Sequence, residues 1–156
     1  MRGRVTRPAP LPIGAPALNS VVSAMDTSQH LIFQSDAFTP VPGEDEETNP
    51  GIYGKALSDW LSQALAADGH VVSGTFAEDF GRLIQLQNPG FTLNVVVAST
   101  DDTATEWRVF VFAEAGLLAR LRGNGAERIA KVQSLFDDFR TILSAESRIR
   151  DLRIEN

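Results

Sequence analysis

Residues 107–113 read Trp-Arg-Val-Phe-Val-Phe-Ala. In an extended chain successive side chains point to opposite faces. Trp107, Val109 and Val111 therefore share one face, and Phe110 and Phe112 share the other. A strand that is apolar on both faces belongs at the centre of a sheet, buried on both sides. The chain around it has to provide strand neighbours on both edges.

Those neighbours are visible as shorter patterns. Phe91, Leu93, Val95 and Val97 alternate with Thr92 and Asn94, and Ile84 and Leu86 alternate with Gln85 and Gln87 in residues 82–87. Residues 30–35 and 70–75 read as further strands, and residues 149–154 as a short edge strand. Glu78-Asp79-Phe80-Gly81 and Asn88-Pro89-Gly90 are turns by composition, and residues 101–103 are a connection.

Two segments carry a helical period instead. Asn49 as cap and Pro50 in the first turn predict a helix start. Tyr53, Leu57, Trp60, Leu61, Ala64 and Leu65 then recur at three and four residues, and Asp68-Gly69 ends the run. Asn124 or Gly125 opens the second helix. Its stripe is Ile129, Val132, Leu135, Phe136, Phe139, Ile142 and Leu143. The pattern is summarised as strand, helix, three strands, helix, strand (β-α-β-β-β-α-β). It predicts an α+β fold of two layers: a mainly antiparallel sheet with two amphipathic helices on one face. The 156 residues suffice for one domain with a sizeable core.

Residues 1–24 differ from the rest. Pro8, Pro10, Pro12 and Pro16 interrupt a stretch of small residues, and they break any apolar core of a signal peptide. The expectation is a disordered tail or a mis-assigned start, with Met25 as an alternative first residue and a single domain over 25–156. No apolar run reaches the roughly 20 residues that a membrane helix needs. Cysteine is absent, so disulfides, thiolate metal ligands and cysteine nucleophiles are excluded. A reducing, cytoplasmic setting is compatible with that.

The net charge of −6 is unevenly spread. Residues 25–107 hold thirteen acids against Lys55 and Arg82, a balance of −11, whereas residues 108–156 hold nine bases against seven acids. A surface of that sign repels nucleic acid and anionic lipid and attracts a basic protein. Its densest part is Glu44-Asp45-Glu46-Glu47, ahead of the predicted helix, and Glu78-Asp79 beside Arg82 is a second cluster. If both lie at one end of the sheet they form one negative patch. The candidate partner-binding residues are accordingly Glu44, Asp45, Glu46, Glu47, Tyr53, Glu78, Asp79 and Arg82.

Other chemistry finds little footing. The acidic run lacks the alternating ligand spacing and turn glycine of a calcium loop. His30 and His70 are the only histidines, and neither has a metal-ligand spacing. No nucleophile elbow, phosphate loop or dinucleotide fingerprint is present. No catalytic residue, metal ligand or cofactor is assigned on this reading. Two helices leave one sheet face to be covered, so Phe110 and Phe112 await either the chain's own loops, especially 114–123, or a ligand, a partner or a second copy in a homodimer.

The segments Phe33-Gln34-Ser35-Asp36, Gly43 through Gly54, Leu57, Trp60, Glu78-Asp79-Phe80-Gly81 and Gly116 through Leu121 resemble a group of short uncharacterised bacterial hypothetical proteins. The resemblance spans residues 31–154. It implies a bacterial cytoplasmic protein, and it carries over no catalytic residue because that group has no assigned activity. The leading expectation is a non-enzymatic, acidic protein-binding module, immunity- or inhibitor-like. The alternatives are a small carboxylate- or metal-dependent hydrolase and a homodimeric structural protein.

Overall fold

The computed structural model describes residues 26–116, 121, 123 and 125–156. The readings made for residues 1–24, for most of the Gly116–Leu121 stretch and for Asn124 lie outside the described residues.

Seven strands form one sheet among the described residues: β1 (Asp26–Thr27), β2 (His30–Gln34), β3 (Val72–Glu78), β4 (Gly81–Leu86), β5 (Thr92–Ser99), β6 (Glu106–Glu114) and β7 (Arg150–Glu155). The two long helices among the described residues are α1 (Lys55–Ala67) and α2 (Gly125–Ser144), and a 3-10 turn spans Glu44–Glu46. The order across the sheet is β3-β4-β5-β6-β2-β7, with β1 also on β6. Every ladder is antiparallel. The α+β class is as expected. Four strands separate the helices, one for each of the segments read at 70–75, 82–87, 91–97 and 107–113, so the β-α-β-β-β-α-β summary is one strand short; in addition β1 precedes β2. Together β1 and β2 make one interrupted strand along β6. At the gap Ser28 replaces a missing rung: its N–H donates to the Val111 carbonyl at 2.8 Å, and its Oγ accepts from the Val111 N–H at 3.0 Å.

The two-faced strand is central, between β5 on one side and β1 and β2 on the other. Its Trp107, Val109 and Val111 join Leu31, Phe33, Ile84 and Val95 against Leu57, Leu61 and Leu65 of α1 and Phe136 and Phe139 of α2. Both helices therefore cover one face. Each such side chain contributes about 1.5–3 kcal/mol by leaving water. The Trp107 indole N–H donates to the Ser35 carbonyl at 3.1 Å, so its polar tip is satisfied in the core. The other face is not bare. Phe110 and Phe112 are 4% and 6% exposed and cluster with Val96, Phe80 and Leu83. The His30 ring stacks on Phe110 with centroids 4.2 Å apart. Ile129, expected in the stripe of α2, is exposed, because the core-facing line of that helix begins at Val132.

The start of α1 corrects the sequence reading. Asn49-Pro50-Gly51-Ile52 is a separate turn, closed by the Ile52 N–H donating to the Asn49 carbonyl at 3.1 Å. Gly51 has φ +82°, which a type II turn requires at its third position, with proline favoured at the second. The helix begins only after Gly54, at Lys55. Tyr53 is thus outside the helix and does not share a helical face with Trp60. At its other end α1 stops where expected. The Gly69 N–H donates to Ala66 O at 3.1 Å and the His70 N–H to Leu65 O at 3.0 Å, the bond pair of a Schellman cap.

Candidate functional site

The hairpin topology decides which loops meet. The β3–β4 turn, the β5–β6 connection and the amino end of α1 all fall at the same end of the sheet. The acidic run lies among them. The Asn49 N–H donates to the Asp79 carbonyl at 2.8 Å, tying the run's end to the β3–β4 turn. Tyr53 and Ser99 exchange two bonds: the Tyr53 N–H donates to Ser99 Oγ and the Ser99 N–H to the Tyr53 carbonyl, each at 2.9 Å. This second tie brings in the end of β5 and with it Asp101 and Asp102. The two acidic clusters found in sequence therefore do share one end, and a third joins them.

Within the run the four acids have separate fates. Glu44 is 4% exposed and turned inward. Its Oε1 accepts from the N–H groups of Gly54 and Lys55, each at 3.0 Å, and its Oε2 from the Val41 N–H at 2.6 Å. A helix leaves its first N–H groups without partners, and the positive end of its dipole favours an anion there. Glu44 thus caps α1 from ten residues upstream. Asp45 is half-buried and accepts from the Gly51 N–H at 3.1 Å, which holds the turn. Glu46 and Glu47 are exposed.

Arg82 is buried beneath this loop. Its Nη2 lies 2.9 Å from Glu47 Oε1 and donates to the Glu44 carbonyl at 3.4 Å. The Cβ of a residue at Gly81 would sit 2.6 Å from Val97 O and 2.8 Å from Ala98 Cβ, so only glycine lets the hairpin approach β5 closely enough to place Arg82 there. Tyr53 is half-buried beside Asp45, whose charge raises its hydroxyl pKa most, with desolvation, Asp102 and Glu44 adding to it.

Little positive charge is left to balance this end. Lys55 pairs with Asp59 at 3.2 Å and Arg82 with Glu47. From the carboxy-terminal half, Arg150 reaches Asp36 at 3.5 Å and Arg153 reaches Glu106 at 3.1 Å, both toward the β7 edge. Glu46, Glu78, Asp79 and Asp102 remain exposed, with Asp45 beside them. Of the sequence-selected residues, Asp45, Glu46, Glu47, Tyr53, Glu78 and Asp79 line one acidic end. Glu44 and Arg82 lie under it as supports. Asp102 was missed, because a two-residue acidic connection reads as an ordinary loop until the strand order places it.

At the opposite end the fold makes a second juxtaposition that spacing could not show. His70 Nε2 lies 3.0 Å from Asp138 Oδ2 on α2 and 3.9 Å from Asp68 Oδ2 on the α1 cap. The pair Asp68-x-His70 is legible in sequence; Asp138, 68 residues away, is not.

No family model, curated protein or solved structure matches the chain. Among the described residues, no helix is long and apolar enough to cross a membrane.

Proposed function

We propose that the chain is a non-enzymatic binding module whose acidic end engages a basic protein, with an immunity- or inhibitor-like role as its concrete form. The observation that supports this most is the convergence of three acidic loops, joined by the Asn49–Asp79 and Tyr53–Ser99 bonds, with their few cations already paired. Clustered carboxylates of one sign steer a basic partner by long-range attraction and set the rate of association. The same field disfavours nucleic acid and anionic membranes. The hydrogen-bonded turns beneath the patch tie its backbone down, which reduces the ordering required on binding. We place this module in the bacterial cytoplasm, on the resemblance noted above and on a cysteine-free composition compatible with a reducing compartment.

The test neutralises exposed acids and spares the structural ones. A variant carrying Glu46→Gln, Glu78→Gln, Asp79→Asn and Asp102→Asn keeps Glu44, hence the helix cap, and keeps Glu47 as the ion-pair partner of buried Arg82. Cross-linked pull-downs from the native host, repeated at low and high salt, should recover a basic partner with the wild type and lose it with the variant. Equal recovery by both proteins would sink the proposal.

A further inference from the structure

Asp68, His70 and Asp138 come from three different elements: the cap of α1, the approach to β3 and the middle of α2. Their donor atoms all lie within 4.8 Å of one another. We infer that they form a binding site for one divalent transition-metal ion, at the end of the sheet opposite the acidic loops.

The donor set carries the choice of ion. One imidazole nitrogen with two carboxylate oxygens suits zinc and its neighbours; calcium and magnesium take oxygen ligands. Zinc bonds to such donors are about 2.0–2.2 Å, which puts donors sharing one ion roughly 3–3.5 Å apart. The His70–Asp138 separation of 3.0 Å already meets this. The His70–Asp68 separation of 3.9 Å needs Asp68 to move inward, and its side chain is half exposed and free to turn. Three protein donors leave a further position for water.

Two features prepare the site. The Schellman bonds of Gly69 and His70 fix the backbone between the first two ligands, so Asp68 and His70 are presented together before any ion arrives. The charge is also unbalanced. Among the described residues, His70 is the sole ion-pair partner of both Asp68 and Asp138. Two carboxylates thus converge on one imidazole, and a divalent cation removes that surplus where the imidazole alone does not. The ion would clamp the end of α1 to α2, which are otherwise joined through the core.

Isothermal calorimetry with zinc chloride on the untagged full chain is the test. One saturable site per chain is expected. At 100-fold excess over Kd the melting temperature should rise by about 5–10 °C. His70→Ala and Asp138→Asn should each weaken binding by at least the roughly 10–100-fold that losing an outer-shell partner costs. Should His70→Ala fail to fold, Asp68→Asn on the exposed cap decides in its place. His30→Ala, on the other face of the sheet, should bind as the wild type does. The inference is overturned by the absence of a saturable zinc signal. Unchanged affinity in a folded His70→Ala or Asp68→Asn variant, loss of binding in His30→Ala, or magnesium binding as tightly as zinc would equally overturn it.

Discussion

Within the acidic run, replacing Glu44 by alanine should be the damaging change, and the reason is local accounting of hydrogen bonds. Its carboxylate takes the N–H groups of Val41, Gly54 and Lys55 at 2.6, 3.0 and 3.0 Å. Alanine leaves all three without that partner. Gly54 is buried, and an orphaned buried donor costs about 1–3 kcal/mol. Val41 is exposed and Lys55 half-buried, so water recovers part of their bonding, and the loss there is nearer the 0.5–2 kcal/mol of an ordinary helix cap. The sum is about 3 kcal/mol, or roughly 6–12 °C in melting temperature for a chain of this size. Glu44→Gln keeps one oxygen for Gly54 and Lys55 but turns an amide N–H2 toward the Val41 N–H, and should cost about 1–2 kcal/mol. Urea unfolding followed by far-UV circular dichroism measures both: the midpoint falls while the slope stays constant. Glu46→Ala, at an exposed position, should stay within about 0.5 kcal/mol of wild type. If Glu44→Ala proves as mild as Glu46→Ala, the capping account is wrong and Glu44 is one more surface acid.

Two further perturbations probe the frame around the acidic end and the far sheet face. Gly81→Ala combines a φ of +144° with a methyl 2.6 Å from Val97 O, and should destabilise by about 3 kcal/mol in the same urea assay; a loss under 1 kcal/mol would mean the hairpin can retreat from β5. His30 has a lowered pKa, chiefly from burial, then from Arg108, with Glu155 opposing. Folding therefore favours its neutral form. Its contribution to stability is complete above the unfolded value of about 6.5 and is lost as pH falls from there through the lowered folded value. The unfolding midpoint should drop between pH 7.5 and 5.5, and His30→Gln should flatten that drop; parallel curves for the two proteins would show that His30 plays no part.

Much of the architecture was written in short-range pattern. Period-two alternation in residues 82–97 and the two-sided strand at 106–114 define a central antiparallel sheet, and the stripes from Leu57 to Leu65 and Val132 to Leu143 define the two helices that cover it. Asp68-Gly69 marked the end of α1 because a left-handed glycine cap is a local matter of backbone sterics. The same local logic misplaced the start of that helix. Asn-Pro-Gly suits a helix start and a type II turn equally, and the choice was made by Glu44, whose carboxylate reaches the amides of Gly54 and Lys55 ten and eleven residues on.

The candidate sites divide along the same line. Composition and order along the chain determined that carboxylates crowd residues 25–107 and that few cations accompany them. Only the tertiary structure decided which acids remain as surface charge and which are consumed as supports. Two hairpin connections and the tethered β2–α1 loop bring three acidic segments to one end, and packing turns Glu44 inward while Glu46 stays in water. The meeting of His70 with Asp138 belongs wholly to the fold, because α2 crosses the sheet close to the α1 cap and no spacing in the chain encodes that crossing. Charge is carried by residues one at a time; a site needs their side chains within a few ångströms, and long-range packing sets that distance.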